Sequence, residues 1–285
     1  MNSAPLETIS ADLVIKHINH LPRPSGVVSE LLRCLDDENA TAGELARIIA
    51  RDQAMVARLL RIANSPFYGL RGRVESIPNA IAVLGQRAVL GLATASAFCG
   101  AFEAVAVSDF KIEIYSRHSL ASALCSRGLA RRMGISEGSA FVAGLLHDIG
   151  LLMFATAFPG HMSAVASYRH EHGCARHEAE LAVAGMDHGQ IGGILGERWY
   201  FPASICAAIT NHHRPDEVDC SELACAVHLG DALAHAMDLA NDPQEAVPKI
   251  SERCWRKADL AWRDSQEIFA EVEQEFAVLS QALLN

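Results

Sequence analysis

The sequence predicts an all-α protein, in which an N-terminal helical subdomain packs on a larger helical bundle. Ala, Leu, Arg and Glu are frequent among the 285 residues, only 10 residues are proline, and runs of β-branched residues are short. This balance favours helix. Apolar residues also recur at the three- and four-residue spacing that gathers them on one face of a helix. We find no internal repeat in the sequence and no convincing pair of strands.

Capping residues and helix breakers mark the elements of the N-terminal half. Ser25 is placed to cap a first helix, and Thr41-Ala-Gly-Glu44 matches a capping box. The segment Asn64-Ser-Pro-Phe-Tyr-Gly69 ends the preceding helix, because Asn and Ser form hydrogen bonds with nearby backbone groups. We expect Phe67 and Tyr68 to pack in the core rather than to hold a ligand. Helices are predicted over residues 27–35, from Thr41 to Ile49, and over 52–63, 77–84 and 87–98.

Helical periodicity loosens around residues 101–110 and then resumes. We predict helices over 112–132, 136–146, 160–173, 176–184, 188–197, 202–212, 221–239 and 252–283. Two prolines between Asn241 and Pro248 indicate a linker. The expected organisation is an N-terminal subdomain over 1–105, a second helical subdomain with the candidate site over 106–240, and a linker with a C-terminal helix over 241–285.

Composition excludes several classes of function. The 24 basic and 34 acidic residues give a net charge of −10, which disfavours nonspecific nucleic-acid binding because that depends on a cationic surface. No apolar stretch approaches the roughly 20 residues of a membrane span, and the N-terminus lacks the apolar core of a signal peptide. The eight cysteines include no Cys-x-x-Cys pair. We therefore expect a cytoplasmic protein with free thiols and no membrane contact.

Histidine and aspartate residues in the second half form the informative pattern. Gly144-Leu-Leu-His-Asp-Ile-Gly150 places His147 beside Asp148 at the end of an apolar helix. The other candidates are His118, His188, His212, His213 and Asp231. Imidazole nitrogen and carboxylate oxygen together suit Fe, Mn, Zn or Ni better than Ca or Mg. We predict that these side chains converge on one cleft that holds one or two divalent metal ions. Two neighbouring ions could activate a hydroxide toward a phosphate ester.

This order of residues resembles the HD superfamily of metal-dependent phosphohydrolases. The resemblance implies His118, His147, Asp148 and Asp231 as core ligands, and an HD-type helical bundle as the fold of the second subdomain. His188 and His212 or His213 are similar to the additional histidines of its two-metal members.

Motifs in both halves narrow the resemblance to the HDOD family, over about residues 15–240. They are Leu21-Pro-Arg-Pro24, Glu44-Leu-Ala-Arg-Ile-Ile-Ala-Arg-Asp52, Leu59-Leu-Arg-Ile-Ala-Asn-Ser65 with Phe67-Tyr-Gly69, Ile77-Pro-Asn-Ala-Ile-Ala-Val-Leu-Gly85, Trp199-Tyr-Phe-Pro202 and Asn211-His-His-Arg-Pro215. HDOD proteins are bacterial signalling modules. The resemblance implies other signalling proteins as partners, among them components of cyclic-di-GMP signalling.

The sequence departs from the active cyclic-di-GMP phosphodiesterases that it resembles in two places. Those enzymes carry Lys directly after His-Asp-Ile-Gly, where this chain has Leu151, and a Gly-Tyr-Pro loop, where it has Arg214-Pro-Asp-Glu-Val218. Arg117 or Arg214 would have to supply the missing phosphate-binding charge. Ile114 replaces a Glu that ligates a third metal in some relatives. We therefore expect a non-catalytic signalling module, ahead of a metal-dependent phosphohydrolase and of a regulator that binds a nucleotide without turnover.

Overall fold

The computed structural model describes residues 6–21, 24–37, 39–68, 74–102, 110–217, 219–243 and 246–284. All regular structure within these ranges is helical, so the predicted all-α class is confirmed. Pro22 and Arg23 of one motif and Gly69 of another lie outside the described residues. Most of the predicted subdomain boundary, residues 103–109, also lies outside them.

Six α-helices form the N-terminal half: α1 (Ala11–His17), α2 (Gly26–Asp36), α3 (Ala42–Ile49), α4 (Gln53–Ala63), α5 (Ile77–Leu84) and α6 (Gln86–Phe102). Ser25 and Thr41 cap α2 and α3 as predicted, each accepting a hydrogen bond from a backbone N–H of the first turn. Asn64 closes the following loop, because its amide bonds both the carbonyl oxygen and the N–H of Val74. The side chains of this half bury one apolar core that continues into the second half.

Ten further α-helices lie among the residues described from 110 onward. They are α7 (Ile112–Met133), α8 (Glu137–Leu146), α9 (Ile149–Ala157), α10 (Pro159–His172), α11 (Arg176–Ala184), α12 (His188–Arg198), α13 (Ala203–Asn211), α14 (Glu222–Met237), α15 (Glu252–Ala258) and α16 (Trp262–Leu283). Helix α7 lies at the centre, packed on α8, α14 and α16.

Three elements differ from the sequence prediction. Helix α1 was not predicted, and its seven residues bury only Val14, so its apolar pattern is weak. Helix α9 was missed because it is buried on nearly every face and therefore lacks amphipathic periodicity. The single helix expected over 252–283 is two helices, since Asp259 adopts a left-handed conformation with φ of 46° and ends α15.

Helix α16 is held to α7 by the arginine segment from Arg127 to Arg132. Arg127 is mostly buried and makes a two-pronged ion pair with Glu275 of α16. The Tyr68 hydroxyl donates to the same carboxylate over 3.1 Å. Arg131 and Arg132 add ion pairs to α16 nearer the surface. The C-terminal helix is therefore part of the folded body.

One stretch of the described residues, Glu137–Ala157, is long and apolar enough to cross a membrane by length and composition. It is a longer apolar stretch than the sequence analysis allowed for. In the fold, 89% of its most apolar window is buried inside the protein. The helical structure is interrupted between α8 and α9 within this stretch, and His147 and Asp148 lie at this break between the two helices.

Candidate metal centre

Five structural elements bring the predicted site residues together. His118 comes from the middle of α7, His147 and Asp148 from the break between α8 and α9, and Asp231 from α14. His188 begins α12, and His212 and His213 follow the end of α13. All seven side chains predicted from the sequence therefore converge on one cleft, and six of the seven residues are buried.

Asp148 lies between two groups of these side chains. Its Oδ1 atom is 2.9 Å from Nε2 of His188 and 3.8 Å from Nε2 of His212. The same Oδ1 atom lies 3.4 Å from Nε2 of His147, and Oδ2 lies 3.9 Å from Nε2 of His118. Ligand atoms of Asp148, His188, His212 and His213 all lie within 4.8 Å of one another, and the same holds for His118, His147 and Asp148.

The imidazoles are oriented by hydrogen bonds on the side away from the cleft. Nδ1 of His147 bonds the carbonyl oxygen of Gly144, and Nδ1 of His212 bonds that of Ile209, both at 2.7 Å. A carbonyl oxygen only accepts, so each Nδ1 carries the proton and each Nε2 of the neutral ring offers a lone pair. These two Nε2 atoms are buried and make no hydrogen bond. Buried, unpartnered nitrogen donors of this kind fit a metal ion.

Glu180 orients His188 in the same way, and the sequence analysis missed it. Its Oε2 atom accepts from Nδ1 of His188 at 2.6 Å and from the backbone N–H of His188 at 2.8 Å. Glu180 lies on α11 and is almost completely buried. A carboxylate behind a histidine ligand increases the basicity of the ring and fixes its direction.

His235 is a second residue that the sequence analysis did not assign. Its Nε2 atom lies 3.3 Å from Oδ1 of Asp231, one helical turn earlier on α14. Its ring also lies beside that of His118, with 4.3 Å between the centroids. The ligand atoms of His118, Asp231 and His235 are mutually within 4.8 Å. The i,i+4 spacing of an Asp and a His on one helix was the available signal.

Electrostatics separate the histidines of the cleft into two kinds. Burial and the neighbouring His147 lower the pKa of His212 to about 3, and burial likewise holds the pKa of His213 well below its usual value. Both rings are thus neutral at pH 7, as metal ligation requires. For His188, burial opposes protonation, but the Glu180 and Asp148 carboxylates raise its pKa well above its usual value. A cation in the cleft would take the place of that proton.

The buried His-Asp cluster on a helical bundle defines an HD-type protein. The family model of the HDOD domain matches residues 21–215, and the chain belongs to the HDOD family. A protein from Treponema pallidum (strain Nichols), described as uncharacterized, is 23% identical over 242 residues. That match covers 83% of this chain but 46% of the relative, so the chain spans less than half the length of the curated relative that it matches.

Solved structures share the fold at low sequence identity. An HDOD domain protein of unknown function from Geobacter sulfurreducens is 24% identical and superposes with a TM-score of 0.78, covering 96% of this chain and 98% of that one. A candidate phosphohydrolase from Shewanella amazonensis SB2B is 24% identical with a TM-score of 0.75, covering 95% and 97%. A candidate signal transduction protein from Marinobacter aquaeolei VT8 is 23% identical with a TM-score of 0.74, covering 99% and 62%. These similarities establish the fold.

Proposed function

We propose that the chain is a bacterial signalling module whose HD cleft holds two divalent cations and does not hydrolyse phosphoesters. One ion would be held by His118, His147, Asp148 and Asp231, and the other by Asp148, His188, His212 and His213. The carboxylate of Asp148 lies close to histidines of both positions, which supports a shared ligand between them. The mixture of imidazole and carboxylate favours Fe, Mn, Zn or Ni.

Two arginines that could hold a phosphate contact other parts of the fold instead. This observation supports the proposal that the protein does not hydrolyse phosphoesters. Arg117 donates two hydrogen bonds to the carbonyl oxygen of Leu239 and lies over the ring of Phe276. Arg214 lies 3.5 Å from the buried carboxylate of Asp187. Bound metal ions would supply Lewis-acid activation, but hydrolysis also needs a charge that holds the phosphate. Leu151, at the position where the active relatives carry Lys, is buried and carries no charge.

A metal-dependent phosphohydrolase is the second candidate, and the completeness of the ligand set favours it. Seven predicted ligands converge, and His235 adds another metal-ligating side chain beside His118 and Asp231. A purely structural site needs fewer donors than this. The two candidate functions differ in whether the protein positions a phosphate ester for hydrolysis at the ions. A measurement of turnover distinguishes them, whereas a measurement of metal content does not.

Metal content and turnover can be measured on one preparation. We expect elemental analysis of protein purified without chelator to give up to two ions per chain, and Asp148→Ala to lower that number. With Mn or Fe supplied, we expect no hydrolysis of cyclic-di-GMP or of a general phosphodiester above the rate without protein. Hydrolysis that is abolished by His147→Ala would replace this proposal with the phosphohydrolase. If the folded, unmodified protein bound no metal, this result would contradict both candidate functions.

For the cellular role, we propose that the protein acts in cytoplasmic signalling through contacts with other proteins. Components of cyclic-di-GMP signalling would be among its partners. Membership of the HDOD family supports this role. The net charge of −10 disfavours a nucleic-acid partner. Co-purification with and without metal chelation tests whether partner contacts depend on the state of the cleft.

A further inference from the structure

Three cysteines form a cluster that the HD cleft does not use. Cys220 precedes α14, Cys225 lies in the first turns of α14, and Cys254 lies in α15. All three residues are buried, and their Sγ atoms lie within 4.8 Å of one another. The sequence predicted free thiols, because no Cys-x-x-Cys pair is present, and it did not group these three residues.

The surroundings of this three-cysteine cluster favour a single thiolate, on Cys225. Hydrogen bonds from Cys220 and Cys254, together with the charge of Lys257, lower the pKa of Cys225. The hydrogen bond with Cys225 raises the pKa of Cys220 to about 11, and hydrogen bonds with Cys220 and Cys225 raise that of Cys254. Lys257 is fixed nearby, because its Nζ atom donates to the carbonyl oxygen of Cys220 over 2.8 Å. The backbone N–H of Cys254 donates to Ser251 Oγ, which fixes the start of α15. A thiolate, rather than a thiol, is the form that binds a metal.

A surface cleft lies along the helix that carries Cys254. The cleft, of about 590 Å³, is lined by Asp216, Glu252, Arg253, Arg256 and Lys257. All of these residues except Asp216 are on the same short helix as Cys254. The three cysteines are buried and do not line the cleft.

The number of donors limits what the cluster can hold. Among the described residues, no carboxylate or imidazole joins the three sulfurs at the same mutual distance. His228 is close, but its Nδ1 atom bonds the carbonyl oxygen of His212 and its Nε2 atom accepts from the N–H of Ser251. Structural zinc requires four protein ligands. Three thiolates without a fourth donor suit a soft cation of low coordination number.

We propose that Cys220, Cys225 and Cys254 form a three-coordinate thiolate site for a soft monovalent cation, of which Cu(I) is the biological example. Binding exchanges the remaining thiol protons for the ion and releases them to solvent. No sulfur changes its oxidation state, and no disulfide forms. The site is separate from the divalent centre and does not depend on the function proposed for that centre.

A competition experiment under anaerobic, reducing conditions tests this site. Cu(I) is presented as its coloured bicinchoninate complex, and transfer to the full chain is followed as loss of colour. We expect one ion per chain to transfer. Cys225→Ser should weaken binding by more than about 100-fold, since even loss of an outer partner of a metal ligand costs about 10–100-fold. Cys34→Ser changes a half-buried cysteine outside the cluster and should have no effect.

The divalent centre needs its own control, because two successive hydrogen bonds, from Ser251 to His228 and from His228 to the carbonyl oxygen of His212, connect the two sites. Asp148→Ala should leave Cu(I) transfer unchanged. X-ray absorption of the Cu(I)-loaded unmodified protein should show a first shell of sulfur alone, and this measurement remains valid if Cys225→Ser fails to fold. A shell of nitrogen or oxygen, loss of transfer in Asp148→Ala, or tighter binding of Zn(II) than of Cu(I) at the sulfurs would overturn the proposal.

Discussion

Nε2 of His188 lies 2.9 Å from Oδ1 of Asp148 and only 2.7 Å from Nε2 of His213. Three groups that could ligate a metal thus meet at one point, although they come from three different helix ends. Without a cation, this arrangement needs a shared proton to hold two imidazoles and a carboxylate together. The contact therefore links metal binding to stability and to pH.

Removal of the shared carboxylate should abolish stabilisation by metal. An ion that binds only the folded protein stabilises it by about 2.7 kcal/mol at 100 times its dissociation constant. We expect the unmodified protein to melt at a higher temperature with Mn or Zn than with chelator, and Asp148→Ala to melt at the same temperature in both. Asp219→Ala, which removes a fully exposed carboxylate, should keep the difference. A persistent difference in Asp148→Ala would place the ion elsewhere.

Glu180→Gln should weaken the divalent centre without removing a ligand. The amide keeps the size of the side chain but loses the charge that fixes His188, and loss of such an outer partner typically costs about 10–100-fold in metal affinity. Titration against a chelator of known affinity measures the change. Glu178→Gln, on the same helix but exposed, is the matched control. Equal affinities for Glu180→Gln and the unmodified chain would show that Glu180 does not tune the site.

The stability of the metal-free protein and the metal affinity of the cleft should depend on pH in opposite directions. The carboxylates around His188 raise its pKa despite burial, and those around His147 act in the same direction. A raised pKa contributes stability that is complete below the unfolded value of about 6.5 and is lost as the pH rises through the folded value. The melting temperature of chelated protein should therefore fall above pH 6.5.

Metal affinity should rise over the same range, because the ion has to displace fewer protons. Against the effect of burial, the surrounding imidazoles lower the pKa values of Asp148 and Asp231, so both are ionised throughout this range. Glu180→Gln should flatten both curves. An affinity that does not change between neutral and alkaline pH would contradict the assignment of a displaceable proton to the cleft.

The buried ion pair that holds α16 should be the largest polar contribution of the C-terminal helix to stability. Glu275→Ala leaves Arg127 buried and unpaired, and such a loss costs about 3–5 kcal/mol. Glu271→Ala removes an exposed partner of Arg131 and should cost about 0.2–1 kcal/mol. Urea denaturation of both variants measures the ratio. Similar values for the two would mean that α16 does not depend on its buried contact.

The sequence was sufficient for the fold class and for the convergence of the site, but for different reasons. Helical periodicity and caps such as Ser25 and Thr41 report local structure directly. The convergence of His118 with Asp231 was predicted from the types and order of the ligating residues and from the resemblance, since no local signal relates residues on separate helices. Glu180 was missed because its function depends on α11 meeting the start of α12, which is a tertiary contact. The three-cysteine cluster was missed for the same reason.

Gly150 is the last residue of the His-Asp-Ile-Gly motif, and it has a mechanical rather than a chemical role. A Cβ atom at this position would overlap the carbonyl oxygen of His188, so the backbones of α9 and α12 are already in contact there. The main chains that carry Asp148 and His188 consequently cannot move closer together, and only side-chain rotation can change the distance between their ligand atoms. Gly230 brings α14 equally close to Ser126 of α7, directly beside Asp231. Both sides of the centre are therefore framed by main-chain contacts, and selection among divalent ions should follow ionic radius on both sides.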